Sequence, residues 1–431
     1  MKKRIISSFC FLVIMLAGIF AASSAASAAN VSEPMAASHA LHLIADDSSM
    51  AMAGIKGGRI TFDAEDFARA MNLSSVECIT ITEAPPITDG ELLIGRTVVN
   101  GNQTVSKENI SLMTYSQKSD TGASSYFKFR CDGSPYEIKC ELYMLDSANR
   151  APTLSTASEL TLDVSTHKNV KLFGKLSAYD PEGDDIRIEI VSYPKRGTLI
   201  MTDASEGTYT YAPSENFTGE DSFVYVARDK YGNYSASKTV SLTVRSTAVA
   251  VEYEDLSGTR YHNAALTMAE YRIMGAGEGS LFLPDGTVSR EDFLIMAMRS
   301  VGMTDVASAS TTPFADTEDM TPTGRAYVSA AYELGYIRGT YVDGKLCYLP
   351  NEPITRAEAA VIVANIIDAA TPAVTPVFAD SDDIPTFARG AVASLGYMGI
   401  ISDRDGSIMA NADLTRGDAA EMLSLVIRVG N

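Results

Sequence analysis

The sequence predicts a multidomain chain in which two tandem all-β sandwiches precede an array of helical repeats. Three observations predict it. A length of 431 residues exceeds one domain at roughly 100 to 200 residues each. Residues 57–246 read as short alternating strands broken by turn signals. From about Val251 the texture changes to alanine-rich apolar runs of helical length, and one short motif is written three times.

The chain opens Met1-Lys2-Lys3-Arg4, stays uncharged from Ile5 to Ala22 and reaches Ala26-Ser27-Ala28, the order of a secretory signal peptide. The expectation is a signal over 1–28 and a polar segment over 29–56, with an uncleaved anchor as the alternative; no later run is long and apolar enough to cross a bilayer. Loss of 1–28 removes three cations and no acids, so a formal charge of -19 becomes -22. So acidic a surface argues against nucleic acid, which needs a basic footprint. Retention at the cell surface must then come from binding, with no membrane contact after signal cleavage. Cys78, Cys131, Cys140 and Cys347 remain, too few for a disulfide framework, although an oxidising exterior permits one bridge within the first sandwich. His39, His42, His167 and His262 stand apart and supply no material for a metal or triad site.

The first sandwich is expected over 57–148. Val76-Glu77-Cys78-Ile79-Thr80-Ile81 and Tyr126-Phe127-Lys128-Phe129-Arg130-Cys131 alternate, and Asp132-Gly133-Ser134-Pro135 is a turn. The second is expected over 149–246 and repeats the design. Ile186 to Tyr193 followed by Gly197-Thr198-Leu199 parallels Cys78 to Glu83 followed by Gly90-Glu91-Leu92, and both then reach a tyrosine strand and an aromatic hairpin. Ala178-Tyr179-Asp180-Pro181-Glu182-Gly183-Asp184, Tyr209-Thr210-Tyr211-Ala212-Pro213, Asn216-Phe217-Thr218-Gly219 and Asp221-Ser222-Phe223-Val224-Tyr225 carry a resemblance: the second sandwich resembles bacterial cadherin-like, immunoglobulin-like domains. The first looks like a divergent relative, closer to the chondroitin-sulfate-proteoglycan type of repeat.

Beyond Val251, apolar residues at spacings of three and four mark helices at Phe293 to Ser300, Ala326 to Leu334, Ala359 to Ala369 and Ala419 to Arg428. Linkers near Thr304 to Thr312 and Ala370 to Pro376 divide the region into repeats over 251–303, 313–370 and 376–431. Each places a hydroxyl, an arginine, a spacer and an acid ahead of a helix: Ser289-Arg290-Glu291-Asp292, Thr355-Arg356-Ala357-Glu358 and Thr415-Arg416-Gly417-Asp418. Ser289, Thr355 and Thr415 with Asp292, Glu358 and Asp418 are the signature of capping boxes. The arginine is unexplained by capping, because its charge opposes the positive end of the helix dipole. A guanidinium beside free N–H groups at a helix start favours a carboxylate or phosphate, so three anion sites are expected.

Each repeat also opens with an aromatic and an acid two places on, Tyr253 and Asp255, Phe314 and Asp316, Phe378 and Asp380. With these, residues 251–431 resemble three S-layer homology repeats. The resemblance implies an all-α pseudo-threefold bundle whose grooves bind secondary cell-wall polysaccharide, a peptidoglycan-linked glycan often carrying a pyruvate ketal. It implies ligand roles for Arg290, Arg356 and Arg416, with Asp255, Asp316 and Asp380 holding sugar hydroxyls or orienting the arginines, and it favours the site at Arg356. The chain departs from the family in having no tryptophan. Phe387 stands near that place in the third repeat, and Thr259 or Tyr261 and Thr323 in the others.

The turn containing Asp180, Glu182 and Asp184 offers several oxygens to Ca²⁺, the one candidate ion, although it lacks an EF-hand's distal glutamate and also reads as an ordinary turn. Gly275-x-Gly277-x-Gly279 follows no strand and is a helix end rather than a nucleotide loop. Residues 30–150 hold no Gly-x-Ser-x-Gly and no His-Glu-x-x-His, so no enzyme is expected. The expected function is a secreted, non-catalytic surface protein of a bacterium, anchored to the wall by its repeats, with the sandwiches as spacers or as contacts for other surface proteins. The alternatives are a lattice subunit and a surface enzyme with an unrecognised N-terminal domain.

Overall fold

The computed structural model describes residues 50–71, 73–118, 124–132, 134–154, 163–276, 279–306, 312–372, 378–404 and 406–430. The expected signal peptide, nearly all of the polar segment and most of both repeat linkers lie outside them.

The first sandwich starts earlier than its sequence suggests. Met50–Ile55, assigned to the polar segment, is a strand running parallel to Ile138–Leu145, with Met50 opposite Cys140. It edges a five-stranded sheet that continues through Ser124–Cys131, Cys78–Glu83 and Gln103–Ser106. A second sheet orders Ile60–Thr61, Met113–Gln117, Gly90–Ile94 and Thr97–Val98. Between these layers lie Ile79, Ile81, Phe127, Phe129 and Tyr115, each nearly inaccessible to water. The helix Ala64–Ala70 adds Phe67 to that core, edge-on to Phe129 with ring centroids 4.9 Å apart. Its capping box pairs Asp63 with Asp66.

The second sandwich uses the same plan. Asp163–His167 runs parallel to Lys238–Arg245, and the sheet continues through Gly219–Asp229 to Ile186–Ser192. Opposite it, Thr208–Pro213 pairs with both Leu172–Lys175 and Gly197–Asp203. Leu199 faces Tyr211 as Leu92 faces Tyr115. The tyrosine rings lie across Gly197 and Gly90, where any Cβ would overlap them. Two glycine–tyrosine pairs at equivalent register positions give a physical basis to the sequence parallel between the domains.

No disulfide forms within the first sandwich, contrary to the permitted bridge: Cys78, Cys131, Cys140 and Cys347 are free thiols. Cys140 pairs with Phe127 across the ladder, four positions along the strand from Cys131, too far for an S–S bond. Burial pushes the Cys131 thiol up to about 11, and that of Cys140 well above its ordinary value. Both are therefore core residues rather than nucleophiles.

The last third is mostly helical but not all-α. Its helices are His262–Glu270, Arg290–Ser300, Pro322–Glu333, Arg356–Ile366, Arg389–Tyr397 and Arg416–Gly430, and a short hairpin joins Thr340–Val342 to Lys345–Cys347. At its centre three buried residues close a ring of backbone hydrogen bonds. Ile354 N donates to Val288 O at 3.0 Å, Leu414 N to Ile354 O at 2.8 Å, and Val288 N to Leu414 O at 3.2 Å. One residue from each repeat thus supplies one donor and one acceptor. The helices pack around this junction in a single core.

Candidate functional site

The three arginine-bearing helix starts surround the central junction, and each is closed by the unit that follows it around the ring. Arg290 N donates to Glu352 O, Arg356 N to Ala412 O and Arg416 N to Gly286 O, at 2.8–2.9 Å. The next amides, of Glu291, Ala357 and Gly417, reach Pro350, Ala410 and Pro284 carbonyls. The third amides go to the capping hydroxyls of Ser289, Thr355 and Thr415. The free N–H groups expected to hold an anion are therefore all engaged. Any ligand must be held by side chains.

The acids complete a capping box only at Thr355, where Glu358 Oε2 accepts from the Thr355 N–H at 3.0 Å. Asp292 turns onto the Ser289 hydroxyl at 2.8 Å instead. Asp418 turns away to a cluster of arginines, which out-compete a neutral amide for a carboxylate.

Each arginine acts first as a brace between units. Nε of Arg290, Arg356 and Arg416 donates to the carbonyls of Tyr348, Ile408 and Phe282 at 2.9, 2.7 and 3.0 Å. Two of the three also meet the acid of the following unit: Arg290 Nη1 lies 2.5 Å from Glu358 and Arg356 Nη1 lies 2.8 Å from Asp418. By the same rotation Arg416 would meet Asp292, which is held on its own cap. Arg416 makes no direct ion pair among the described residues, although its charge reaches Asp255; its Nη2 donates to Gly275 O at 3.1 Å and its guanidinium sits over Phe282.

The arginine favoured from sequence is the most enclosed of the three. Arg356 is 3 % exposed, with Ser402 O and Ile408 O completing its donors beside Asp418. Breaking a buried pair of this kind costs about 3–5 kcal/mol, which would weaken an anion competing for Arg356 by roughly a hundredfold to several-thousandfold. Arg416 carries no such cost.

Asp255, Asp316 and Asp380 make no hydrogen bond to the arginines among the described contacts, although the Arg416 charge acts on Asp255. Each accepts two backbone N–H bonds, from Phe282 and Leu283, from Tyr348 and Leu349, and from Ile408 and Met409. Leu283, Leu349 and Met409 all have positive φ, at 58°, 60° and 53°. The acids thus pin three equivalent left-handed turns that non-glycine residues adopt only under constraint.

Phe387 is 64 % exposed on a groove of about 310 Å³ between the second and third units, lined also by Tyr336, Asn365, Asp368 and Thr371. None of the three arginines lines it. The aromatic and the cations of the expected site are thus in separate places.

Sequence reading missed Arg260, Arg404 and Glu421, which close the third unit onto the first. Arg260 holds Glu421 at 2.7 and 2.9 Å, Arg404 holds both Asp418 oxygens, and Tyr261 adds a hydroxyl. Burial alone would raise the Asp418 pKa, but the hydrogen bond from Arg404 and the charges of Arg356 and Arg404 bring it below the usual aspartate value. No local spacing signals this cluster, because Arg260 and Glu421 stand at opposite ends of the helical region.

The acids considered for Ca²⁺ are engaged separately. Asp180 caps its own turn through the amides of Glu182 and Asp184, Glu182 pairs with Arg150 at 2.6 Å, and Asp184 pairs with Lys230 at 2.8 Å. Among the described residues no group of three or more His, Cys, Asp or Glu side chains is placed to hold a metal ion.

Residues 313–360, the unit built around Arg356, match the S-layer homology domain. The chain carries an S-layer homology domain. Residues 149–246 match the bacterial cadherin-like domain. A surface-layer 125 kDa protein of Lysinibacillus sphaericus is 27% identical over 154 residues, 32% of this chain and 13% of that protein. An amylopullulanase of Thermoanaerobacterium thermosulfurigenes is 27% identical over 255 residues, 55% of this chain and 13% of that protein. The chain thus spans about an eighth of each curated relative. Drosophila N-cadherin EC1-3 is 14% identical and covers 48% of this chain and 64% of that one, with a TM-score of 0.22, too low to carry an argument. The S-layer homology domain and the surface-layer relative make this a cell-wall-associated surface protein. No helix among the described residues is long and apolar enough to cross a membrane.

Proposed function

We propose that the S-layer homology body anchors the chain non-covalently by binding secondary cell-wall polysaccharide, pyruvylated on its sugars, and that the cadherin-like sandwich and its neighbour project outward as spacer or adhesive modules. One observation carries this reading: of three helix-start arginines braced around one junction, Arg416 makes no direct ion pair among the described residues, its donors going to backbone carbonyls. A forked cation of that kind suits a ketal carboxylate. Exposed Phe387 supports the reading as a face on which a sugar ring can stack. The function is read as non-catalytic: the amylopullulanase likeness concerns 13% of that enzyme, and the thiols and histidines of this chain form no nucleophile–base pair among the described contacts. Co-sedimentation of the chain with purified sacculi, before and after acid extraction of their polysaccharide, tests the proposal. Equal binding to extracted walls would sink it.

A further inference from the structure

One layer of the second sandwich ends on a strand paired along one side. Gly197–Asp203 lies at the edge of the three-stranded sheet and is bonded to Thr208–Pro213 alone. Ser214 N donates to Arg196 O, and Pro213, opposite Gly197, has no N–H to give. The ladder's alternation therefore turns the backbone groups of Gly197, Leu199 and Met201 away from the sheet. These groups have no partner among the described residues. A one-residue register shift between Met201 and Asp203 sits at the strand's end and leaves Gly197 to Met201 regular.

The other edges of comparable length among the described residues are occupied. Met50–Ile55 is met at Ala51 by the turn at Gly232, where a Cβ would lie 1.9 Å from the Ala51 carbonyl oxygen. Asp163–His167 gives Ser165 O to Asn263 of the helical body, and Ile186–Ser192 has its Ile188 N–H taken by Ala204 O at 2.8 Å. An open edge is usually blunted by a lysine, a proline or an inward charge. Gly197 to Thr202 carries none of these. Its charges stand at the two ends instead, with exposed Lys195 and Arg196 before it and exposed Asp203 and Glu206 after it. The Lys195 and Arg196 side chains have no ion pair among the described residues.

A strand that is basic at its start, neutral along its length and acidic at its end complements itself when turned around. Antiparallel pairing of two copies brings each basic end to the other's acidic end, whereas parallel pairing sets like charges together. The outer face agrees. Phe173 and Ile200, 39 % and 59 % exposed, stand opposite Thr210 from either side in one row across the sheet. A two-fold axis at Ile200 continues that row into the same row of a second copy.

We propose that the second sandwich binds a second copy of this chain by antiparallel pairing of the two Gly197–Asp203 edges about Ile200, joining their sheets into one. The contact is isologous and closes on itself, so it yields pairs of chains and not a lattice. A single strand pair is a small interface and makes a weak, reversible contact. Chains held side by side on one surface meet at high effective concentration, which favours it. It needs no glycan and stands apart from what the helical body binds.

The test uses the full chain in solution without wall material. Sedimentation velocity at rising concentration should show the wild type passing from monomer to dimer. Ile200→Lys sets two ammonium groups opposite each other and should weaken association roughly tenfold, with an unchanged thermal midpoint because Ile200 is exposed. Mild oxidation supplies the register. Ile200→Cys faces its own copy across the axis and should give disulfide-linked dimer well above the wild type, whose own free thiols serve as the control. Thr198→Cys lies about 13 Å along the strand from its own copy, beyond disulfide reach, and should stay at the wild-type level. A wild type that remains monomeric at every concentration overturns the proposal. So does equal association of Ile200→Lys, or equal cross-linking of the two cysteine variants.

Discussion

At the scale of single residues, the arginine of the repeated motif is the instructive case. Its place at a helix start was legible, since a hydroxyl and an acid three residues apart announce a cap. Its partners were not, because the carbonyls of Tyr348, Ile408 and Phe282 come from a different unit in each case. Symmetry in sequence therefore suggested three anion sites with Arg356 favoured, while three-dimensional closure engages Arg356 most completely and Arg416 least. Arg356→Gln is accordingly a stability variant: it leaves Asp418 short of one partner in a buried cluster and should destabilise the body by about 3–5 kcal/mol, read by chemical denaturation. A midpoint within error of wild type would refute the brace. The acid dependence has a definite sign. The Asp418 pKa is depressed on folding, so its contribution is present above the unfolded value of about 4 and is lost as pH falls through the lower folded value.

At the scale of elements, alternation found the strands wherever β-branched and aromatic residues carried it, as in Ser124–Cys131 and Ile186–Ser192. It missed Met50–Ile55, whose Met-Ala-Met-Ala-Gly-Ile has few strand-favouring residues and is held by its parallel partner. The helices His262–Glu270 and Arg389–Tyr397 were also missed. Neither has a side-chain cap, and each spans only nine residues. What the sequence did carry, without explaining it, is the glycine that opens the strand paired with each tyrosine strand, Gly197 beside Thr208–Pro213 and Gly90 beside Met113–Gln117. Gly197→Ala and Gly90→Ala would force a Cβ into Tyr211 and Tyr115 respectively, so each should cost roughly 1–3 kcal/mol in its own sandwich by overpacking. Thermal melts of the two variants check this, and tolerance at both positions would remove the physical basis for treating the sandwiches as relatives.

At the scale of the whole molecule, the second sandwich does not hang freely from the anchor. Asn263 of the helical body donates to Ser165 O at 2.9 Å and stands 2.7 Å from His167 Nδ1, and Glu270 lies 3.2 Å from His167 Nε2. Arg245 reaches the same glutamate at 3.4 Å, and Lys175 pairs with Asp403 at 2.8 Å. None of this contact was legible, since it joins residues of two domains that share no motif. Burial and the Arg245 charge hold the His167 pKa below its ordinary value against the opposing pull of Asn263 and Glu270, and burial with the His167 charge does the same to His262. Docking should then be strongest above about pH 6.5 and weaken as pH falls toward the depressed values. Limited proteolysis of the 245–251 connection at pH 7.5 and 5.5 checks this: cleavage should quicken at the lower pH in the wild type, and much less in His167→Gln. An unchanged rate would mean the histidines do not govern the contact.

The proposed attachment of this body to the wall runs through a glycan. The most direct measurement is the fraction of full-length chain that co-sediments with purified sacculi, taken before and after the polysaccharide is extracted, with the released polysaccharide then added back as a soluble competitor. Attachment through a glycan predicts retention on intact sacculi, loss on extracted ones, and release by the competitor. Retention that survives extraction and ignores the competitor would contradict it.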